Sequence, residues 1–115
     1  MNEETMNIQH QMVLAIADEL ARMEQTLSRM PDDTTGRKQL AKSVQRIKTH
    51  LNAAGYEIVD MLGMPYVEGM KVVANFNFDE TLPEGSSVIT TVTRPQVNYE
   101  GEMIQVAMIT VSQNL

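Results

Sequence analysis

The chain changes its hydrophobic period at Gly55. Before it, apolar residues recur at steps of three and four. After it, short runs dense in β-branched residues alternate with turn formers. A chain with a period near 3.6 in one half and near 2 in the other cannot form one uniform layer. It has to place a helical unit against a sheet unit, which sets the class as α+β. We divide it at that point, with residues 1–55 as a helical region and 56–115 as a small all-β domain of short strands.

In the first half, Met6, Val13, Ile16, Leu20, Met23, Leu27 and Met30 follow alternating three-four steps, with Gln9 at the one polar seam position. This predicts a helix over residues 5–30, ended by Met30-Pro31, because a residue before proline is biased away from the helical region. Pro31-Asp-Asp-Thr-Thr-Gly36 reads as a connector, with Thr34 or Thr35 as a candidate N-cap. A second helix is expected from about Arg37 to Ala54, with Leu40, Val44, Ile47 and Leu51 on its seam and Gly55 as a left-handed cap. The connector is short, so the two helices form an antiparallel hairpin. The second helix carries Arg37, Lys38, Lys42, Arg46 and Lys48 without an acid, and the first is richer in acids, so their charges complement one another.

A two-helix hairpin cannot bury so long a seam alone. The expected solution is a homodimer whose hairpins form a four-helix bundle, with Val13, Ile16, Leu20, Met23, Leu27, Leu40, Val44, Ile47 and Leu51 at the interface.

In the second half, Tyr56–Asp60 and Met70–Phe78 read as strands. Leu82–Ser112 reads as a hairpin: Val88–Thr93 and Met103–Val111 are the two strands, with Gly101 of Glu100-Gly101 supplying the positive φ of a tight turn. The set suggests a small sandwich or barrel-like sheet.

Charge and composition narrow the function. Residues 1–55 hold seven basic and seven acidic side chains; residues 56–115 hold two basic and eight acidic ones. The acidic half should repel phosphate backbones, so nucleic acid is not an expected partner. No apolar run approaches a membrane span, and the polar, acidic N-terminus is unlike a signal peptide, so a cytoplasmic location without a membrane role is expected. The chain has no Cys, which removes disulfides, thiolate metal sites and a Cys nucleophile. Its ten Met residues suit gap-filling or adaptable contact surfaces. Gly63–Lys71 echoes a phosphate loop but places Met70 where the lysine is needed. His10 and His50 stand on different helices with no acid arranged around them. Asp32-Asp33 and Asp79-Glu80 fall short of a coordination set. No enzyme and no cofactor are expected.

The order of parts resembles the GrpE family, the nucleotide-exchange co-chaperones of DnaK-type chaperones. Val13–Leu27 is similar to the family's first motif helix, with Asp18 in place of its Asp. Val44–Val59 is similar to its second-helix segment. Leu82-Pro-Glu-Gly85 matches its "lPeGtV" turn, Gly101 takes the Gly of its hairpin, and Ala107–Ser112 looks like its closing strand. Departures are Met70 in place of a His, and Glu102 and Gln105 in place of two basic residues. The resemblance implies a dimer whose β-domain engages the nucleotide-binding domain of a DnaK-type chaperone and promotes ADP release. Tyr66, Val67, Glu68, Thr93, Glu102, Val106, Met108 and Val111 are the partner-facing candidates. The charge reversal at Glu102 suits a divergent factor matched to a paralogous chaperone. The alternative is a dimeric adaptor or scaffold that kept the fold without exchange activity.

Overall fold

The computed structural model describes residues 2–115. Helix α1 spans Glu3–Arg29, two residues earlier than the seam alone suggests, because the Asn2 side chain caps it by accepting from the Thr5 amide at 2.8 Å. Glu3 and Glu4 in the first turn and Arg29 in the last complement the helix dipole. Helix α2 spans Arg37–Ala53. Neither threonine caps it. Gly36 takes the N-cap position at φ 86°, and no side chain bonds to the free amides. The connector instead makes turns of its own, with the Thr34 amide on the Pro31 carbonyl and the Arg37 amide on the Thr34 carbonyl.

Six strands follow: β1 (Tyr56–Ile58), β2 (Val72–Phe78), β3 (Ser87–Arg94), β4 (Val97–Tyr99), β5 (Glu102–Gln105) and β6 (Ala107–Gln113). They form two three-stranded sheets, ordered β1-β4-β5 and β2-β6-β3. The fold class is therefore α+β, with two N-terminal helices and two small sheets. The single hairpin expected over Leu82–Ser112 is not formed. Glu100-Gly101 does make a tight turn, with both residues at positive φ (49° and 84°), but it joins β4 to β5. The run Met103–Val111 breaks at Val106, where the chain crosses from one sheet to the other. β6 then pairs antiparallel with β3 and parallel with β2. Local turn chemistry marked the turn, but the strand partners come from sheets that meet only in the folded chain.

α1 is the common spine of three small cores. Val13 and Ala17 pack with Tyr56 and Val97 of the first sheet. Ala21 joins Met61, Ile89, Val92, Ala107, Ile109 and Val111 of the second. Leu20 and Leu27 meet Val44 of α2. Ala17 and Ala21 matter because a methyl side chain lets the sheets approach the helix closely; Ala17 is completely buried. Helical and β regions thus share their cores. The Lys48 ammonium meets the Glu24 carboxylate at 2.6 Å between the helices. It is the one interhelical ion pair among the described residues that joins the basic helix to the acidic one.

The molecule is a slab, 51 × 39 × 17 Å, with a Cα radius of gyration of 15.8 Å. A compact chain of this length would have about 13 Å. Its accessible surface is 7600 Å², against about 6300 Å² for a compact monomer of the same mass. No helix is long and apolar enough to cross a membrane.

Candidate partner-binding surfaces

The helical seam divides into two sets of residues. Val13, Leu20, Leu27 and Val44 are buried by the chain's own packing, and Leu51 is half-buried against Tyr56 and Val44 neighbours. They are held by the chain's own packing, so at most the edges of Leu27 and Val44 are left for an interface between copies. Ile16, Met23, Leu40 and Ile47 remain 36–54% exposed. Ile8 and Met12, outside the expected set, extend the same stripe toward the N-terminus at 63% and 58%. On the hairpin this stripe opens into an apolar groove of about 270 Å³, lined by Met23, Leu27, Met30, Leu40, Val44 and Ile47 among others. The reason for the split is angular. The apolar arc of α1 is wider than one contact can cover, and the sheets occupy the side that carries Ala17 and Ala21.

The β-region candidates fall in three places. Tyr66 is half-buried and sets its ring edge-to-face on Phe76, with centroids 5.3 Å apart. Val67 and Glu68 beside it are exposed. Met108 is exposed on the outer face of the second sheet, where the register places it between Val73 of β2 and Arg94 of β3. Thr93 is exposed at the bulge next to Arg94. Glu102 is exposed on the other sheet, opposite Tyr99. Val106 is half-buried at the crossing between sheets. Val111 does not belong with them. It is fully buried, because it shares the inward face of β6 with Ala107 and Ile109.

Sequence reasoning missed Val73, Phe76 and Phe78, which are 52%, 51% and 67% exposed. A strand of mixed pattern, with aromatics on the face that should be buried, was the available signal. Both Phe residues of the chain are therefore more than half exposed.

Gln105 faces inward. Its Nε2 donates to Asp18 Oδ1 at 3.1 Å and to the Pro95 carbonyl at 2.9 Å, while Arg94 Nε lies 3.4 Å from Asp18 Oδ2. Asp18 thereby ties α1 to both sheets. His10 and Gln9 meet the buried Tyr56 hydroxyl, at 2.6 Å from Nδ1 and 3.1 Å from Nε2. His10 and Tyr99 rings also stand 4.7 Å apart. Partial burial, then the Glu100 charge, raises the Tyr99 phenol above its ordinary range. The cluster is a packing junction in which the polar atoms of Gln9, His10 and Tyr56 bond to one another. Among the described residues, no three His, Cys, Asp or Glu side chains converge as a metal site would need.

No protein-family model and no curated protein matches this chain.

Proposed function

We propose that the chain is a GrpE-like, dimeric nucleotide-exchange factor that acts on the nucleotide-binding domain of a DnaK-type chaperone in the cytoplasm. The observation that carries the reading is the uncovered apolar stripe along the helical hairpin, on a chain whose helices and acidic β region follow one another in the order that resemblance implies. Its accessible surface exceeds the compact-monomer value by about 1300 Å². One protomer's share of a standard interface is about 800 Å². Pairing of two hairpins through Ile8, Met12, Ile16, Met23, Leu40 and Ile47 would account for the excess and leave both β regions free.

Exchange needs no chemistry from this chain. A protein that binds the open nucleotide cleft more tightly than the closed one shifts the cleft toward opening by that difference in affinity. The surfaces available for it are the outer sheet face around Thr93 and Met108, the Tyr66–Glu68 segment, and Glu102. Stopped-flow release of fluorescent ADP from a DnaK-type chaperone of the same organism tests the reading. Acceleration at micromolar protein supports it, and an unchanged rate removes it for that chaperone.

The adaptor reading has its own support. Gln105 is engaged with Asp18, and Glu102 is an exposed acid. The β4–β5 hairpin therefore offers a partner no cation. A dimer that binds the chaperone without changing ADP release would favour this reading.

A further inference from the structure

The second sheet has two edges, and the chain closes only one. Along β3, the Gly63 and Tyr66 amides donate to the Ile89 and Ser87 carbonyls at 2.8 and 3.0 Å, and the Ile89 amide donates to the Met64 carbonyl at 2.9 Å. β2 lies at the other edge with β6 as its only strand neighbour among the described residues. Edge strands are normally protected by charges, proline, bulges or short length. β2 has none of these. It runs for seven residues, VVANFNF, and its register with β6 is unbroken from Val72 to Phe78.

The side chains along this edge are those of a binding strand. Phe76 and Phe78 point to the sheet's inner face beyond the part that the chain covers, and both are more than half exposed. Beside Phe76 lies a hollow of about 380 Å³ bounded by Tyr66, Glu68, Ser87 and Gln113. Glu68 lines this hollow, Asp79 and Glu80 follow Phe78 directly, and Glu84 lies in the loop beyond them. The one basic residue of the stretch, Lys71, stands at the opposite end of β2.

We propose that the open edge of β2 binds an extended, apolar segment of another polypeptide with Lys or Arg at the flank that meets the Phe78 end, which adds to the sheet as a further strand. Main-chain hydrogen bonds supply affinity in this mode, and alternate side chains supply selection. The hollow beside Phe76 takes one apolar side chain, and the acidic rim takes the cations. A second copy is the poorer occupant. Each copy would bring a single lysine, Lys71, to the joint and would add its own acids, so it complements the acidic end less well than a segment without acids.

The test uses the full chain and fluorescence anisotropy. The probe is a fluorescein-labelled peptide of alternating Val and Thr, about as long as the seven residues of β2, with two Lys at one end. Three comparison peptides serve: one carries Glu in place of the Lys, and two carry N-methyl groups on alternate amides, one in each phase. Saturable binding of the Lys-ended peptide is expected, with the Glu-ended and at least one N-methylated peptide weaker by about tenfold. Phe78→Ser should weaken binding by about fivefold with the far-ultraviolet dichroism unchanged, since Phe78 is a surface residue. Glu68→Lys with Glu84→Lys should do the same for the Lys-ended peptide. Equal affinity for all the peptides, or no saturation, overturns the proposal. So does a concentration-dependent mass that Phe78→Ser abolishes, which would make a second copy the occupant. No chaperone enters this measurement, so its outcome is separate from that of the exchange assay.

Discussion

Gln25 on α1 completes the hydrogen bonding of β3 where the strand bulges at Thr90. Its Nε2 donates to the Thr90 carbonyl at 3.0 Å, and its Oε1 accepts from the Val92 amide at 3.3 Å. The register of β3 against β6 skips Thr90, which has no partner residue there, while Val92 keeps Ile109 opposite it. One side-chain amide stands in for a strand. Gln25→Ala should cost about 1–3 kcal/mol, the usual consequence of leaving part-buried groups unpaired. Gln25→Glu should cost at least as much, because a carboxylate cannot donate to the Thr90 carbonyl. Urea denaturation checks both, and a midpoint unchanged in either variant would remove Gln25 from this role.

Gly55 joins α2 to β1 at φ 97°, and its carbonyl accepts from the Glu100 amide at 2.9 Å. A Cβ at this position would lie 3.1 Å from Tyr99 Cε1. Gly55→Ala therefore combines left-handed backbone strain with a crowded ring, and a loss of about 1–3 kcal/mol is expected. Gly63→Ala has the same φ problem without a neighbour within 4 Å, so a smaller loss should be seen in the same thermal melts. The reverse order would mean that the Tyr99 ring yields freely.

The Glu24–Lys48 pair is largely shielded, with the two side chains 22% and 13% exposed. Removing one partner strands the other in a poorly solvated site, whereas replacing both removes the problem. Lys48→Met and Glu24→Leu should each destabilise the chain by about 1–3 kcal/mol, and the double variant should cost less than their sum. A double-mutant cycle measures the coupling. Strict additivity would show that the pair is too hydrated to matter.

Asp79 accepts from the amide and hydroxyl of Thr81, and these bonds hold its carboxyl below the ordinary value. A depressed carboxyl favours the folded loop at pH above the unfolded value of about 3.9 and loses that contribution as pH falls through the folded one. Carbon-detected NMR titration should place the Asp79 midpoint below the ordinary carboxylate value. Thr81→Val should bring Asp79 back toward the ordinary value. An Asp79 midpoint at the ordinary value would exclude the turn as its cause.

Met23 and Ile47 line opposite walls of the hairpin groove and are 42% and 37% exposed. If two hairpins pair through it, Met23→Glu or Ile47→Glu places a charge in an apolar joint and should raise the dimer dissociation constant by at least about tenfold. Leu20→Ala, by contrast, should act on folding, since Leu20 is buried within the chain. Light scattering over a dilution series separates the two. A wild-type mass of one chain at every concentration would contradict pairing.

Much of the local structure was legible before any fold was known. The three-four spacing marked both helices, Pro31 and Gly55 bounded them, and β-branched runs marked the strands. Asn2 was overlooked as a cap because the seam begins later. The surfaces were less legible. Alternation could not say which face of β6 looks inward, so Val111 and Met108 stood together as candidates until the sheet separated them. Phe76 and Phe78 were passed over because aromatics in a strand are normally core.

The class, the two periods and the turn at Glu100-Gly101 follow from local order along the chain, since each depends on residues within a turn or two of one another. Tertiary structure decided which strands pair, and so replaced one hairpin with two sheets. It also decided which part of the helical stripe stays uncovered. Ala17 and Ala21 drew the sheets onto one side of α1, and Ile16, Met23, Leu40 and Ile47 were left on the other. Those outcomes rest on contacts between segments far apart in the chain, where the choice of partner depends on packing of whole faces and no local pattern encodes it.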